Sequence, residues 1–522
     1  MMKKVRAFLS LVLVLCMVLS LTACGGGSGG SSSSGDSSDG GTDSVSASDG
    51  QASTEEQEDP AELTIGFYIN STMPTDMDMV VGTINEILLE KANAQITDTI
   101  ILNYGNYLEQ ITLMLSGNEK LDTFLCRNSS NFIQYVSRGQ LMEMDDLLAE
   151  YGQGVIEAVG QDFLDAGMVD GHTYGITTNR DLAKEYGFSM LKSYVDKYNI
   201  DIDSIETMDD MGEVFAIIKE NEPDMIPWVS TVGANSLMEF LIGADQLTDS
   251  CGVLMNYGQD EPLEVVNYFA TEEYAYWCNY MHDFYEKGYI AEDFLTTSDQ
   301  PHDLMRAHRA FAMSTGLKPG FDTQESQVVG EEVVSVALTE CYTTSTIVQT
   351  AQWCIPHNAT EPEAAMRFLN LLYTDTELIN LFDWGIEGTH YVKTEDGHIT
   401  YPEGVDSENS GYSLGLGWIF GNQYLSYVWE GDDLDLYDQL KEFNDSALKS
   451  GAFGFVYDSN NVKTEVAAVS NVLNEYRAGL EFGVMDPETT LPEFLGALDA
   501  AGINTIIEEK QRQLDEWVAA QG

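Results

Sequence analysis

The sequence predicts an α/β protein that begins with an open sheet. Two observations carry this prediction. Residues 63–126 have the order strand, helix, strand, helix, strand, which places strands side by side through right-handed crossovers. The chain has 522 residues, 43% of them hydrophobic, so it can form two or three domains with sizeable cores.

Each of the first five elements has its own pattern. Residues 63–68 alternate and are rich in β-formers, which predicts a strand. Apolar residues in 77–91 follow helical spacing. Residues 96–102 are predicted to be a second strand, 107–115 a second helix and 123–126 a third strand.

In open sheets of this kind, ligands bind beyond the carboxyl ends of the strands. We therefore expect a cleft at that edge and a ligand contact from a minority of the residues that follow the strands. These residues are Tyr68, Asn70, Asn103, Tyr104, Arg127 and Asn128.

The chain is strongly acidic, with 86 Asp and Glu against 24 Lys and Arg and a formal charge of -62. Such a field repels nucleic-acid phosphates and anionic lipid or wall polymers, and the sequence shows no basic patch that would offset it. Nucleic acid is therefore not expected as a partner. We interpret the charge as a source of solubility at a crowded surface rather than as a sign of a cationic ligand.

Residues 21–24, Leu-Thr-Ala-Cys, form a bacterial lipobox. A basic start and an apolar run over residues 7–20 precede it, and this run is shorter than the roughly 20 residues that span a bilayer. Residues 1–23 are thus predicted to be an export signal whose removal leaves Cys24 as the lipidated N-terminus. The alternative is an ordinary secretory signal with a chance cysteine at its end.

Residues 24–60 are glycine, serine and acidic residues with almost no large apolar side chain, so they are predicted to be a disordered tether. A coil of about 36 residues spans roughly 30 Å. The protein is therefore expected at the outer face of the cytoplasmic membrane of a Gram-positive-type cell, held there by its lipid anchor alone.

The cysteines do not suggest a disulfide scaffold or a zinc site. Five remain after residue 24, an odd number, and none has metal-ligand spacing. Most are expected to be buried small hydrophobes, although a bridge between Cys341 and Cys354 stays open.

A series of motifs resembles the extracellular solute-binding proteins of carbohydrate ABC importers. This family is similar to maltose-binding proteins. Within it, the motifs resemble a lipoprotein branch that has an uncharacterised C-terminal region. The motifs are Met-Pro-Thr-Asp at 73–76, Tyr-Leu-Glu-Gln-Ile-Thr-Leu-Met-Leu-Ser-Gly at 107–117, Asp-Thr-Phe at 122–124, Gly-Gln-Leu-Met-Glu-Met-Asp-Asp-Leu-Leu at 139–148 and Val-Asp-Gly-His-Thr-Tyr-Gly-Ile at 169–176. The resemblance continues to residue 517.

The resemblance implies a two-lobed fold with discontinuous lobes and a hinge near residues 171–178. The implied N-terminal lobe comprises 61–175 and 342–395, and the C-terminal lobe comprises 176–341 and 396–522 with a C-terminal extension. Within the second lobe, residues 208–220 are predicted to be a helix capped by Thr207.

Residues 381–388, Leu-Phe-Asp-Trp-Gly-Ile-Glu-Gly, resemble a binding loop of the lipoprotein branch. An indole can stack on the C–H face of a sugar, and a carboxylate can accept hydrogen bonds from its hydroxyl groups. We expect Trp384 to stack on a pyranose ring and Glu387 and Arg127 to bind its hydroxyls; the alternative for Trp384 is a buried indole in a tight turn. The full predicted ligand-binding set is Tyr68, Asn103, Arg127, Asn128, Trp228, Trp384, Glu387, Tyr391 and Trp418.

The metalloprotease motif HExxH and the phosphate-binding motif GxxxxGK[ST] are both absent from the sequence. No catalytic residue, metal or cofactor is predicted. The expected function is that of a monomeric, tethered protein that closes on an extracellular oligosaccharide and passes it to an ABC permease. The alternatives are an oligopeptide-binding protein of an importer, a surface glycan-active enzyme and an adhesin.

Overall fold

The computed structural model describes residues 59–70, 73–230, 237–407 and 409–521. The predicted signal peptide, Cys24 and nearly all of the predicted tether lie outside these residues. Within them, two larger β-sheets organise the chain, and each has its own main hydrophobic core.

The first part of the chain alternates strands and helices as predicted. All five elements predicted in residues 63–126 are present, with bounds within three residues of the prediction. The elements are β1 (Ala61–Ile69), α1 (Met77–Ala92), β2 (Ala94–Asn103), α2 (Tyr104–Gly117), β3 (Thr123–Arg127), α3 (Ser129–Ser137), α4 (Asp145–Tyr151), α5 (Gln153–Val159), α6 (Gln161–Asp165), β4 (Met168–Val169), β5 (His172–Thr173) and β6 (Ile176–Thr177).

The next part forms the second sheet. Its elements are β7 (Glu185–Leu191), α7 (Lys192–Tyr198), α8 (Met208–Asn221), β8 (Ile226–Val229), α9 (Leu237–Ile242), α10 (Glu272–Glu286), α11 (Pro301–Arg306), β9 (Ala310–Leu317), α12 (Phe321–Val329) and β10 (Val333–Ala337). The predicted cap of α8 is confirmed, because the Thr207 side chain accepts a hydrogen bond from the Asp210 amide and the Asp210 carboxylate accepts one from the Thr207 amide.

The last part returns to the first sheet and then covers the second. Its elements are β11 (Tyr342–Thr343), α13 (Ser345–Val348), β12 (Ala351–Cys354), α14 (Pro362–Thr374), α15 (Thr376–Asp383), β13 (Val392–Lys393), β14 (Ile399–Thr400), α16 (Leu436–Ser446), β15 (Leu448–Lys449), α17 (Lys463–Glu481), α18 (Pro487–Ala501) and α19 (Ile503–Gln521). Among the described residues, no helix combines the length and apolar character needed to cross a bilayer.

The first sheet has the strand order β2-β1-β3-β12-β6. β1 pairs in parallel with β2 and β3, whereas β12 runs antiparallel to β3 and β6. β1 is buried over seven consecutive residues because helices cover both faces of the sheet. The carboxyl ends of β1 and β3 therefore share one edge with the start of β12.

The second sheet has the order β10-β7-β9-β8. β7 is antiparallel to β9 and β10, and β8 is parallel to β9. Its core contains a cluster of aromatic residues, among them Phe188, Phe215 and Trp228, with ring centroids 5.2 to 6.1 Å apart between Trp228 and the two phenylalanines.

The predicted lobe boundaries need two corrections. β6 pairs with β12, so the first lobe extends beyond residue 175 to Thr177. Residues from 396 onward are predicted to lie in the second lobe, but Tyr412, Ile419 and Phe420 are buried in the core of the first sheet. There the indole nitrogen of Trp353 donates to the Ile419 carbonyl at 2.8 Å. Only near Ala452 do buried residues join the second core.

Three segments cross between the two sheets and are hydrogen-bonded to one another. Leu182, in the first crossing, donates its amide to Asn444 Oδ1 at 2.8 Å and accepts from Thr343 Oγ1 at 2.6 Å. β11 and β15 also pair in parallel. The three crossings are residues 178–184, 338–350 and 421–451.

The five described cysteines all have free thiols. Cys126, Cys251, Cys278 and Cys354 are buried, as predicted for small hydrophobes, and Cys341 is half-buried. The bridge between Cys341 and Cys354 that the sequence left open is not formed.

Candidate ligand-binding site

A cleft of about 720 Å³ opens between the two sheets. This volume lies in the range of about 300–1,000 Å³ that is typical of ligand pockets. The first sheet contributes Asn70 and Arg127, and the loop after β9 contributes Lys318 and Gly320. The remaining walls come from α12, from the crossing segments and from residues 383–440.

The cleft lies where the topology of the first sheet predicts it. Asn70 follows the end of β1 and Arg127 is the last residue of β3, so both lie beyond carboxyl ends of parallel strands. Thr350, just before the antiparallel β12, meets them at the same edge, because Ala351 is the register partner of Arg127.

Arg127 is held in a fixed position by two kinds of contact. Its Nη1 donates to the Thr350 carbonyl at 2.8 Å. Its guanidinium lies 4.9 Å from the ring centroid of Trp418 and 5.9 Å from that of Tyr104, within the range of cation–π attraction. The side chain is therefore preorganised at the rim of the cleft.

Aromatic rings form the opposite part of the cleft. Trp384 follows α15, and its ring centroid lies 5.0 Å from that of Trp429, which in turn lies 4.7 Å from Tyr401. The Trp384 Nε1 is buried and has no hydrogen-bond partner in the described part of the chain. This leaves an indole donor free for a ligand oxygen.

Gly385 permits the turn that places Trp384 in the cleft. Its φ of +85° is a conformation that L side chains rarely adopt. A Cβ at this position would lie 2.5 Å from His390 Nδ1, which accepts a hydrogen bond from the Ile386 amide at 2.9 Å. A larger residue at this position of the motif would therefore clash with His390.

Asp383 lines the cleft beside Trp384 and is 2% exposed. Its Oδ1 has no hydrogen-bond partner among the described residues. Burial raises the pKa of Asp383 to about 7, because a charged carboxylate loses its hydration there. Near neutral pH this group can therefore donate or accept a hydrogen bond.

The raised pKa predicts a pH-dependent stability that Asp383→Asn removes. Between its ordinary value and about 7, the folded chain keeps a proton on Asp383 that the unfolded chain releases, so the wild type loses stability as the pH rises. One such group changes the free energy of unfolding by at most about 1.4 kcal/mol per pH unit. Urea unfolding at pH 5 and pH 8 should show Asp383→Asn gaining stability relative to the wild type at pH 8.

Asp438→Asn is the matched control, because Asp438 is exposed on α16. The free energy of unfolding of Asp438→Asn should depend on pH in the same way as that of the wild type. Burial also raises the pKa of Glu239 to about 7. Because Glu239 is present in all three proteins, its contribution to the pH dependence cancels in the comparison. Equal pH dependence of Asp383→Asn and wild type would contradict the prediction.

Three of the nine predicted ligand-binding residues line this cleft: Arg127, Trp384 and Trp418. Of the wider set at the strand ends, Asn70 lines it as well. The predicted sheet edge and the predicted indole loop thus meet in one cleft, and their contact with a ligand stays a prediction.

The other six predicted residues lie outside the cleft lining. Asn103 and Asn128 cap α2 and α3, where their side chains accept from the amides of Asn106 and Asn131. Tyr68 is buried, with its ring centroid 6.2 Å from that of Trp418.

The prediction also fails to place the remaining three residues at the cleft, because each has other contacts. Trp228 is 1% exposed and belongs to the core of the second sheet, because its side chain points from β8 into that core. Glu387 is exposed and forms an ion pair with Lys393 at 3.0 Å. Tyr391 is 5% exposed and packs 6.0 Å from Tyr427.

Sequence reasoning missed most of the charged lining of the cleft. These residues come from the crossing segments and loops, where neither periodicity nor a motif marks a ligand contact. They are Arg180, Asp181, Lys184 and Lys318. Asp383 lies within the motif at residues 381–388, but the motif predicts no role for it.

A second cavity, of about 900 Å³, lies beside α19. Phe453, Phe455 and Trp517 line it, but its Arg512 is already paired with Glu509 and Glu516. It lies away from the strand ends of the first sheet. The cleft with the converging strand ends and indoles is therefore the stronger candidate.

Two family models match the chain. One, described as "Bacterial extracellular solute-binding protein", matches residues 89–386. The other, a domain of unknown function (DUF3502), matches residues 451–519.

Known proteins resemble the chain over most of its length. A carbohydrate ABC transporter substrate-binding protein of Streptococcus pneumoniae is 25% identical over 461 residues, which are 87% of this chain and 91% of that protein. Lipoprotein LipO of Bacillus subtilis is 25% identical over 195 residues, 36% of this chain and 38% of that protein.

A solved structure confirms the predicted fold. The crystal structure of the N-glycan transport solute binding protein (NgtS) from Streptococcus pneumoniae matches with a TM-score of 0.78 and 24% identity. The match covers 88% of this chain and 100% of that one. The fold is therefore the two-lobed α/β fold.

Proposed function

Because the chain belongs to the bacterial extracellular solute-binding proteins, we propose that it captures an oligosaccharide outside the cell and delivers it to the membrane subunits of an ABC importer. The similarity to a carbohydrate ABC transporter substrate-binding protein over 87% of the chain supports this cargo class. In this role the protein binds and releases its ligand unchanged and acts as a monomer.

The observation that carries the proposal is the set of indoles in one cleft. Trp384, Trp418 and Trp429 all line it, together with Tyr401 and Tyr437. Flat aromatic faces stack on the C–H faces of sugar rings, while a few polar groups fix the hydroxyls. Asn70, Asp383 and Gln423 supply such groups in the same cleft.

The position of the cleft fits capture by closure. Residues of both sheets line it, so a bound ligand would contact both lobes and favour the conformation in which they approach. Only this ligand-bound conformation would then be recognised by the permease.

The membrane anchor is the part of the proposal that rests on sequence alone. The lipobox at residues 21–24 and the similarity to lipoprotein LipO support lipidation at Cys24. Through this anchor the binding lobes would remain at the outer face of the membrane, close to the importer.

The test is a ligand screen with the full chain kept dispersed in mild detergent. Thermal unfolding and tryptophan fluorescence are followed against panels of oligosaccharides and oligopeptides. A ligand at 100 times its dissociation constant stabilises the folded state by about 2.7 kcal/mol, which such a screen detects.

A shift with one family of glycans, and no new reducing ends afterwards, would support the proposal. A shift with peptides alone would move the protein to peptide import. New reducing ends would make it an enzyme, and binding to intact polymer without a change in tryptophan fluorescence would make it an adhesin. Each of these three results would overturn the proposed function.

A further inference from the structure

The cleft reverses the charge balance of the chain. Overall, the chain has 86 acidic residues against 24 Lys and Arg, more than three to one. In the described part of the chain, four basic residues and three acidic ones line the cleft. The reversal is local, so a general need for solubility does not explain it. The basic residues are Arg127, Arg180, Lys184 and Lys318, and the acidic ones are Asp181, Asp383 and Asp432.

One carboxylate, that of Asp181, forms ion pairs with two of these cations and attracts a third. Asp181 Oδ1 lies 3.4 Å from Arg180 Nη1, and its Oδ2 lies 3.6 Å from Lys318 Nζ. Burial alone would raise the pKa of Asp181, but the charges of Lys318, Arg180 and Lys184 together hold it below its ordinary value. Asp181 is therefore ionised and cannot balance all of them.

Lys184 and Arg180 retain uncompensated positive charge. Burial, with the like charges of Arg180, Lys318 and Arg127, lowers the pKa of Lys184 against the attraction of Asp181. No ion pair of Lys184 within 4.0 Å occurs among the residues that the structure describes. The two Nη atoms of Arg180 donate to the carbonyls of Asp181 and Ile347, but its Nε is buried and has no hydrogen-bond partner there. Such groups cost free energy unless a ligand satisfies them.

The other acidic residues of the cleft oppose this charge only weakly. Burial raises the pKa of Asp383 to about 7, so this group carries less negative charge near neutral pH than an exposed carboxylate, and burial raises the pKa of Asp432 as well. In addition, α12 begins next to Gly320, which lines the cleft and provides no side-chain cap. The first amides of this helix favour an anion nearby.

We propose that the cargo is an acidic oligosaccharide, whose anionic group binds among Arg127, Arg180 and Lys184 with Lys318 beside them. This inference rests on the proposed function and adds the charge of the ligand. Guanidinium and ammonium groups form charge-assisted hydrogen bonds to carboxylates and sulfates alike. The uncharged part of the oligosaccharide would then lie along Trp384 and Trp429.

The acidic exterior does not prevent this binding. At physiological ionic strength the screening length is about 8 Å, so exposed carboxylates farther away act weakly on a ligand in the cleft. Buried cations are screened much less. The cluster therefore determines the sign of the potential where the ligand binds.

The test compares three ligands with the full chain by titration calorimetry. They are a uronate oligosaccharide, the same oligosaccharide with its carboxylates reduced to alcohols, and a sulfated oligosaccharide of equal length. We expect the uronate to bind at least about tenfold more tightly than its reduced form, as one charge-assisted hydrogen bond implies. Lys184→Gln should lower the affinity for the uronate about tenfold and leave that for the reduced form unchanged.

Lys192→Gln is the matched control, because it removes the same charge from α7, outside the cleft, where Lys192 pairs with Asp196 at 2.6 Å. It should leave all three affinities unchanged. If Lys184→Gln unfolds, Lys318→Gln gives the same comparison. Tighter binding of the sulfated oligosaccharide than of the uronate would support an anionic cargo and identify its anionic group as a sulfate.

Two results would overturn the inference, and they can be told apart from failure of the proposed function. Equal or tighter binding of the reduced ligand would show a neutral cargo while the function as an oligosaccharide-binding protein stands. An equal loss of affinity for both ligands in Lys184→Gln would assign the cluster a structural role. Binding of peptides and of no carbohydrate would instead refute the function itself.

Discussion

Replacing Trp384 with alanine is expected to weaken oligosaccharide binding by roughly 30-fold, the effect of about 2 kcal/mol that truncation of a central tryptophan has in binding sites. Two observations support this size. The indole lines the cleft against Trp429, with ring centroids 5.0 Å apart, and its buried Nε1 has no partner in the described chain. Removal would therefore delete both a stacking face and a donor. Calorimetric titration of the ligand found in the screen measures the effect.

Two variants separate the contributions. Trp384→Phe keeps an aromatic face and loses the N–H, so it should fall between alanine and the wild type. Trp277→Ala removes an indole of α10 that packs on Tyr276 and Tyr280, away from the cleft, and should not change the affinity. Unchanged affinity in a folded Trp384→Ala would leave this indole with only the packing role of a residue in a tight turn.

Replacing Arg477 with methionine should destabilise the protein by about 3–5 kcal/mol, the cost of leaving buried charges without their partner. Arg477, on α17, donates to Glu239 on α9 and to Glu481 Oε1, the latter at 2.9 Å. Glu239 is 1% exposed and Glu481 is 2% exposed. Urea unfolding at pH 8 should show the loss in full.

The loss should shrink as the pH falls. Burial raises the pKa of Glu239 to about 7, even beside Arg477, so this group opposes folding more strongly as the pH rises through that value. Protonation at pH 5 removes part of the unpaired charge from the folded Arg477→Met. Arg512→Met is the control, because Arg512 forms exposed pairs with Glu509 and Glu516 and should cost less than about 1 kcal/mol. Similar small losses in both variants would contradict the prediction.

The ion pairs of Arg477 also show to which lobe the C-terminal segment belongs. Arg477 and Glu481 lie within residues 451–519, the region that matches a domain of unknown function. Their partner Glu239 lies in the second lobe, and the cores of α17, α18 and α19 are continuous with that of the second sheet. The segment is therefore part of the second lobe rather than a separate module.

Local patterns were enough to predict the three parallel strands that begin the first sheet. β1, α1, β2, α2 and β3 each have a strand or helix pattern within a few residues, and their order predicts the edge at which the cleft lies. Trp384 could be placed at the site because its motif combines an indole with glycine bends. These features are encoded within a few neighbouring residues.

The parts that could not be predicted depend on contacts between distant residues. Arg180 and Lys184 lie on one crossing segment and Lys318 on a loop of the second sheet, so only the folded chain brings them to one cleft. Trp228 resembles a ligand-stacking indole in sequence, yet its strand points it into a core. Around Ile419 and Phe420, glycines interrupt every period, and the sequence does not indicate which lobe those side chains cover.

The hydrogen bonds among the three crossing segments have a mechanical consequence. A single connecting strand would let the lobes bend, twist and slide independently. Three strands joined laterally through Leu182, Thr343 and Asn444 form a narrow ribbon, which bends easily about one axis and resists torsion. We expect the relative motion of the lobes to follow mainly one angle. We expect the relaxation of this motion to have a single rate, with both lobes moving at the same moment.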